Sequence, residues 1–457
     1  MTSRMVVGLF TIAMVTGCAS NGGMNGGGTS GNALPQTAER SIGTQSTDSR
    51  AATYTVTNLG TFGGNVSSAA SINEIGWITG TANNAGDHSG EAALWHDGQK
   101  IPLGTLGGEN SGVDWPNHNN FGLIAGISET SQVNPLNEDW SCQAFFPTVP
   151  DTKHICLGFA WRDGTMKALS TLGGFNGYAS GTNELGQIVG WAETASHDPT
   201  CSAFTHFPNS FYQVLQFEPV VWNASGRIRE LPTISGDPDG AATATNDRGE
   251  IVGISGTCDQ AVGRFSAKHA VLWQNGDVIN IGSFGGISWN TPQSINDRGV
   301  VVGFLNLPGD TQGQLQPIGF IWSKSAGLRK ILPLPGDTNT IANGINDLGQ
   351  VVGQSFNAKT GASRAFIWEN GKTMDLNCFL PANTSLYLIT ASDINDHGDI
   401  VGQATVQGTS EAPAFMARPP HNWDPATATP VRAVVTPQAV PAGLRLPLVY
   451  QRKIGGS

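Results

Sequence analysis

The sequence predicts an all-β fold, a seven-bladed β-propeller of four-stranded antiparallel blades, on three observations. A stretch reading Asn, two free residues, Gly, a short apolar run and a second Gly occurs seven times in the 457 residues. Gly supplies 60 residues and Pro 25, while only 13% are charged, so the chain is rich in turns and poor in exposed-helix formers. No window shows a sustained amphipathic helical pattern.

The seven copies are SINEIGWITGT from Ser71, HNNFGLIAGIS from His118, TNELGQIVGWA from Thr182, TNDRGEIVGIS from Thr245, INDRGVVVGFL from Ile295, INDLGQVVGQS from Ile345 and INDHGDIVGQA from Ile394. Their Asn residues, Asn73, Asn119, Asn183, Asn246, Asn296, Asn346 and Asn395, are 46, 64, 63, 50, 50 and 49 residues apart. A period of about 40–50 residues marks a propeller or a solenoid.

Each repeat contains four β-type segments. The first is small and polar and ends at the Asn, as in SSAASIN or GAATATN; the second is the GxVVG segment. Asn-x-x-Gly turns the chain between them, the Asn side chain bonding its own backbone and the Gly accepting positive φ. The third is apolar and ends in Trp95, Trp161, Trp222, Trp273, Trp322 or Trp368, residues expected to pack between blades. The fourth follows a turn such as HDG, RDG, QNG or ENG, which are hairpin signals.

The ends of the repeat span argue for closure. The seventh copy stops at Ala414-Phe415-Met416-Ala417 with no fourth strand, and the missing strand lies at the other end, where Tyr54-Thr55-Val56-Thr57-Asn58 precedes Leu59 as Lys372-Thr373-Met374-Asp375 precedes Leu376. The amino-terminal strand is therefore expected to join the last blade, an exchange that an open solenoid does not need.

The propeller is expected over residues 53–419. Before it, Arg4 precedes the apolar run VVGLFTIAMV, and Val15-Thr16-Gly17-Cys18 follows. About ten apolar residues are too few to span a bilayer and suit the core of an export signal. This segment resembles a bacterial lipoprotein signal over 1–17, which implies lipidation at Cys18, a membrane anchor and an extracytoplasmic location; Ala19 is similar to an outer-membrane sorting residue. Residues 18–52, with NGGMNGGGTSGN at their heart, read as a flexible tether, and the Pro- and Ala-rich 420–457 as a largely extended or disordered tail. The net charge of −11 and the lack of a basic cluster argue against nucleic acid as a partner.

Five further cysteines in an oxidising compartment point to disulfides rather than metal ligands. Cys142 and Cys156 share one insertion and are the favoured pair; Cys201 with Cys258 is a second possibility, and the odd count leaves one free or shared.

The composite unit, LGTLGG then SxAxxINxxGxVVG then AFxW then GxMxDL, resembles the HAF family of extracellular repeats over about residues 54–418. The motif stands here as Leu103-Gly104-Thr105-Leu106-Gly107-Gly108 and Leu169-Ser170-Thr171-Leu172-Gly173-Gly174, with Lys268-His269-Ala270-Val271-Leu272-Trp273 and Arg364-Ala365-Phe366-Ile367-Trp368 near the His-Ala-Phe signature. Copies four and six depart from it with ISGD and LPGD, copy seven with LNCFLP. The resemblance implies an exported bacterial protein of repeated β-units and supplies no catalytic residues.

Chemistry in a propeller is expected where the first strands line the channel. Those strands are mostly Ser, Ala, Thr, Gly and Asn, with Asp114, His118 and Asp393 as the exceptions and the candidate catalytic residues. Glycosidic acid/base work wants two carboxylates about 5–10 Å apart, and blade one separates Asp114 from Asp393. No HExxH, GxSxG, paired CxxC or P-loop stands out, and neither cofactor nor metal is expected; the acidic turn Asp237-Pro238-Asp239-Gly240 has too few ligands for calcium and reads as a turn.

The connection from second to third strand is irregular. From the closing Gly to the Trp or Ala417 it measures 15 to 20 residues in five copies, but 35 in copy two and 32 in copy three. Long loops in a compact domain are often functional. These carry Trp140, Phe145, Phe146 and His154, then His197, Phe204, His206, Phe207, Phe211 and Tyr212, with Trp115 expected nearby. The ligand-binding candidates are Trp115, Trp140, Phe145, Phe146, Phe204, His206, Phe207 and Tyr212, aromatic platforms for a glycan or anchors for a protein partner at blades two and three; the alternative is that they tuck the loops against the blades. The expected function is a non-enzymatic binding module, with a polysaccharide hydrolase or lyase at the channel mouth and a structural envelope protein as alternatives.

Overall fold

The structure, a computed structural model, describes residues 53–440 except 139, 147–152, 202–212, 259–266, 288, 311–314, 422, 424–427 and 433–434. Seven antiparallel blades follow one another, their strands hydrogen-bonded in chain order. Blade one is Gly63–Ile72, Ile78–Asn84, Gly90–His96 and Gln99–Pro102. The innermost strands of blades two to seven are Gly107–Gly112, Gly173–Thr182, Asp239–Thr245, Thr291–Ile295, Asn339–Ile345 and Leu386–Ile394. Blade seven lacks a fourth strand of its own, and Thr55–Asn58 supplies it, from Thr55 opposite Arg418 to Asn58 opposite Phe415. The expected exchange of ends closes the ring.

Both glycines of the repeat have separate physical causes. The first takes positive φ in the turn, +80° at Gly76 and +85° at Gly349, while the Asn Oδ1 accepts the N–H four residues on, as Asn73 does from Trp77 at 2.8 Å. The second sits where a side chain has no room: a Cβ would fall 2.0 Å from the Ser68 carbonyl at Gly80 and 1.9 Å from that of Tyr178 at Gly190. The first strands carry register shifts beside this contact, between Ala69 and Ser71, Ala179 and Gly181, and Ala242 and Ala244. The bulged residues turn to the next blade, where the Ser180 hydroxyl donates to Ala242 O at 2.7 Å and Thr243 to Pro292 O at 2.8 Å. Small polar residues on the inner strands therefore tie blade to blade.

The core lies between blades. Trp222 is buried, and its Nε1 donates to Ser170 O at 3.0 Å. Trp273 of blade four packs with Val189 and Val221 of blade three. Trp322 is half-buried and packs at the edge of its cluster.

Cys142 is bonded to Cys156 and Cys201 to Cys258. The fifth cysteine, Cys378, is buried and also disulfide-bonded, so no described cysteine is a free thiol and the one left over by the odd count is shared and not free. The described part of the tail is extended in backbone yet docked: Trp423 meets Tyr54 and Phe379 edge-on at 4.9 and 5.1 Å, and Gln438–Ala439 pairs with Ser363 and Ala362 of blade six.

Candidate functional site

The seven Asn-x-x-Gly turns meet around one mouth of the propeller in two concentric rings of hydrogen bonds. In the inner ring each Asn side-chain amide donates to the carbonyl of the next repeat's Asn: Asn73 to Asn119 at 3.0 Å, Asn119 to Asn183 at 2.8 Å, Asn183 to Asn246 at 2.9 Å, Asn246 to Asn296 at 3.0 Å, Asn296 to Asn346 at 2.9 Å, Asn346 to Asn395 at 3.0 Å, and Asn395 back to Asn73 at 3.2 Å.

The following residue builds the second ring, each side chain accepting the backbone N–H of the repeat before it. Glu74 N donates to Asn120 Oδ1, Asn120 N to Glu184, Glu184 N to Asp247, Asp247 N to Asp297, Asp297 N to Asp347, Asp347 N to Asp396, and Asp396 N to Glu74, all between 2.7 and 3.0 Å. The collar thus holds six carboxylates and one amide. Burial, together with neighbouring carboxylates such as Asp396 beside Glu74 and Asp297 beside Asp247 and Asp347, holds Glu74, Asp247 and Asp347 above the usual carboxylate range despite these N–H bonds.

The third position of each turn faces outward. It is Ile75 (57% exposed), Phe121 (71%), Leu185 (54%) and Leu348 (59%) in copies one, two, three and six, and Arg248, Arg298 and His397 in the others. Only seven large apolar side chains are strongly exposed among the described residues, and four of them occupy this one repeat position.

Two of the three channel candidates meet here. His118 Nε2 lies 3.2 Å from Asp393 Oδ2, the imidazole side chain 29% exposed and the carboxylate fully buried. The same Oδ2 accepts Ser71 Oγ and Ile72 N, each at 3.0 Å. Burial pulls the imidazole pKa down, but the Asp393 carboxylate, with Glu74 and Asp247 further off, raises it to a net value above the ordinary one. Serine, imidazole and carboxylate lie together, yet the bonds run in the wrong order for a nucleophile. The buried Ser71 hydroxyl bonds the carboxylate and Asn117, not the imidazole, so no base is placed to take its proton. Asp114, expected as the partner of Asp393, is bonded instead to the Tyr178 hydroxyl at 3.4 Å.

At the other end of the inner strands, the insertion of blade two folds inward. It forms a short helix, Trp140–Phe145, stapled by Cys142–Cys156. Trp140 is fully buried, stacks on Trp191 at 4.6 Å and donates its Nε1 to Glu193 Oε1 at 3.0 Å. Trp115 meets Tyr178 edge-on at 5.4 Å and Phe145 at 6.3 Å, and Phe146 is buried with them. Trp115, Trp140, Phe145 and Phe146 therefore adopt the tucked arrangement, packing the insertion onto blade three, and present no open stacking platform. Phe204, His206, Phe207 and Tyr212 lie outside the described residues, as does Cys18.

Sequence reasoning placed the turns but missed the collar and the exposed third position. The signal was present: the two residues after the repeat Asn read EI, NF, EL, DR, DR, DL and DH, acidic in six copies out of seven at the first place.

No protein-family model and no curated protein matches the chain. Among solved structures it is similar to Pyrococcus horikoshii acylaminoacyl peptidase (12% identity, 79% of this chain and 53% of that one, TM-score 0.46). It is also similar to the β-propeller domain of the Trilobed protease from Pyrococcus furiosus (12%, 75% and 89%, TM-score 0.43) and to virginiamycin B lyase from Staphylococcus aureus (9%, 80% and 99%, TM-score 0.44). The chain spans about half the length of the peptidase, and these likenesses concern the propeller fold, not activity.

Proposed function

We propose that the chain is an exported, membrane-anchored interaction module that binds a protein partner through the face of its Asn-x-x-Gly turns. The observation that carries this reading is the placement of Ile75, Phe121, Leu185 and Leu348, all more than half exposed, at one repeat position around one mouth. Blades one to three give a contiguous apolar arc, with Arg248 and Arg298 on the neighbouring blades four and five. Apolar anchors with arginine at the edge are the composition of a protein interface. Export is supported by the segment from Arg4 to Cys18 and by the two disulfides, and the resemblance to HAF repeats fits such a location.

The test is a photo-crosslinking residue placed at position 121 of the full chain in intact cells. A single envelope protein trapped at 121 but not at the equally exposed position 332, and lost in Ile75→Ser/Leu185→Ser, supports the reading. Equal trapping at both positions, or retention of the folded chain on a glycan array in place of a protein, overturns it. The contact between His118 and Asp393 favours a second reading, a polysaccharide hydrolase or lyase at the channel mouth; turnover of any arrayed glycan that His118→Gln abolishes would establish it.

A further inference from the structure

Two buried carboxylate oxygens without a donor lie close together where blades three and four meet, on the face opposite the Asn ring, and a third undonated acceptor lies on an adjoining segment. Asp198 (5% exposed) follows the second strand of blade three, and Asp239 (1% exposed) opens the inner strand of blade four. One oxygen of each is satisfied: Asp198 Oδ1 accepts Thr200 N at 2.6 Å and Thr200 Oγ1 at 2.7 Å, and Asp239 Oδ1 accepts Phe217 N at 3.0 Å. Oδ2 of each is buried with no donor, and the two side chains are within hydrogen-bond reach of each other. The third acceptor, Gln213 Oε1, is also buried and undonated, on the segment whose Val214 carbonyl receives the Asp198 N–H.

Glu218, 7% exposed on the third strand of blade three, adds a further carboxylate. Among the described residues no Lys, Arg or His forms an ion pair with any of the three acids. A buried carboxylate pair lacking donors requires either a proton or a metal ion to be stable. The Cys201 and Cys258 sulfurs lie within 4.8 Å of the Asp198 carboxylate, but joined as a disulfide they offer no thiolate, which leaves oxygen as the ligand type.

We propose that Asp198 and Asp239, with Gln213 and Glu218 beside them, form a binding site for one hard divalent cation of the calcium type between blades three and four. Neighbouring Asp237 takes no part, because its Oδ2 is bonded to Ser255 at 2.8 Å and His269 at 2.7 Å. The site differs from the turn face and stands or falls independently of it.

Calcium is titrated calorimetrically into the chelator-treated full chain, with terbium luminescence as a second readout and thermal melts with and without calcium. The expected result is one ion per chain, with a Kd of about 10⁻⁴–10⁻³ M as in other extracellular modules, and a rise in Tm. Asp239→Asn and Asp198→Asn, which keep the shape, should abolish binding and the Tm rise while retaining the wild-type near-UV spectrum. Absence of calcium and terbium binding in the wild type overturns the proposal. So does a wild-type chain indifferent to calcium whose stability rises on acidification from pH 8 to pH 5 to match Asp239→Asn, since a shared proton then fills the role.

Discussion

Asn296 connects three strands through one side chain. Its Oδ1 accepts Arg298 N at 3.1 Å and Val300 N at 2.9 Å, fixing its own turn, while its Nδ2 reaches Asn346 O in the next blade. Asn296→Ala should cost about 1–3 kcal/mol in urea unfolding, the range for leaving buried partners unsatisfied. Asn296→Asp sets a carboxylate against a carbonyl, which raises its folded pKa, so its penalty should be large at pH 7 and shrink toward pH 4, where the neutral acid donates. His118 obeys the opposite charge logic. Its folded pKa is raised, so the stability it adds is full below the unfolded value of about 6.5 and is lost as pH rises through the folded value. The gap between wild type and His118→Gln should accordingly be wide at pH 5.5 and narrow at pH 9; a constant gap would mean that the contact carries no charge. At this scale the turn role of the repeat Asn was legible, because Oδ1 bonds its own next residues. Its Nδ2 role was not, because that partner lies one repeat away and exists only once the ring has formed.

The second glycine belongs to the scale of the strand. At Gly303 a Cβ would fall 2.3 Å from the Thr291 carbonyl, so Gly303→Ala must push the inner strand aside, and more than about 3 kcal/mol of destabilisation is expected, above ordinary overpacking. Gly327, which has positive φ but nothing within 4 Å of a Cβ, should lose only about 1 kcal/mol as Ala. Comparing the two melts separates close approach from turn strain. Four strands per repeat, their turns and the terminal Trp were legible from period and turn chemistry. The departures ISGD and LPGD were visible but mute: Asp237 meets His269 at 2.7 Å and Asp337 meets Arg364 at 2.8 Å, pairing across a distance that local pattern does not encode. Which of the two readings of the blade-two insertion holds was not legible for a related reason, since composition identifies Trp140 and Phe145 as anchors without saying whether they hold a ligand or, as their burial shows, the chain itself.

For the whole molecule, closure was legible because a strand missing at one end of the repeat span appears at the other. Deleting residues 1–58 removes that strand and bares the edge Ala414–Arg418. Such a truncation should melt earlier and aggregate, and a synthetic peptide of residues 53–60 should restore part of the loss. The Asn ring runs in one sense, every donor pointing to the following repeat until Asn395 returns to Asn73. A stacked array has outermost units that fray first. Here no blade is outermost, so the molecule has no weak end from which to unzip, and its denaturation is expected as a single cooperative step.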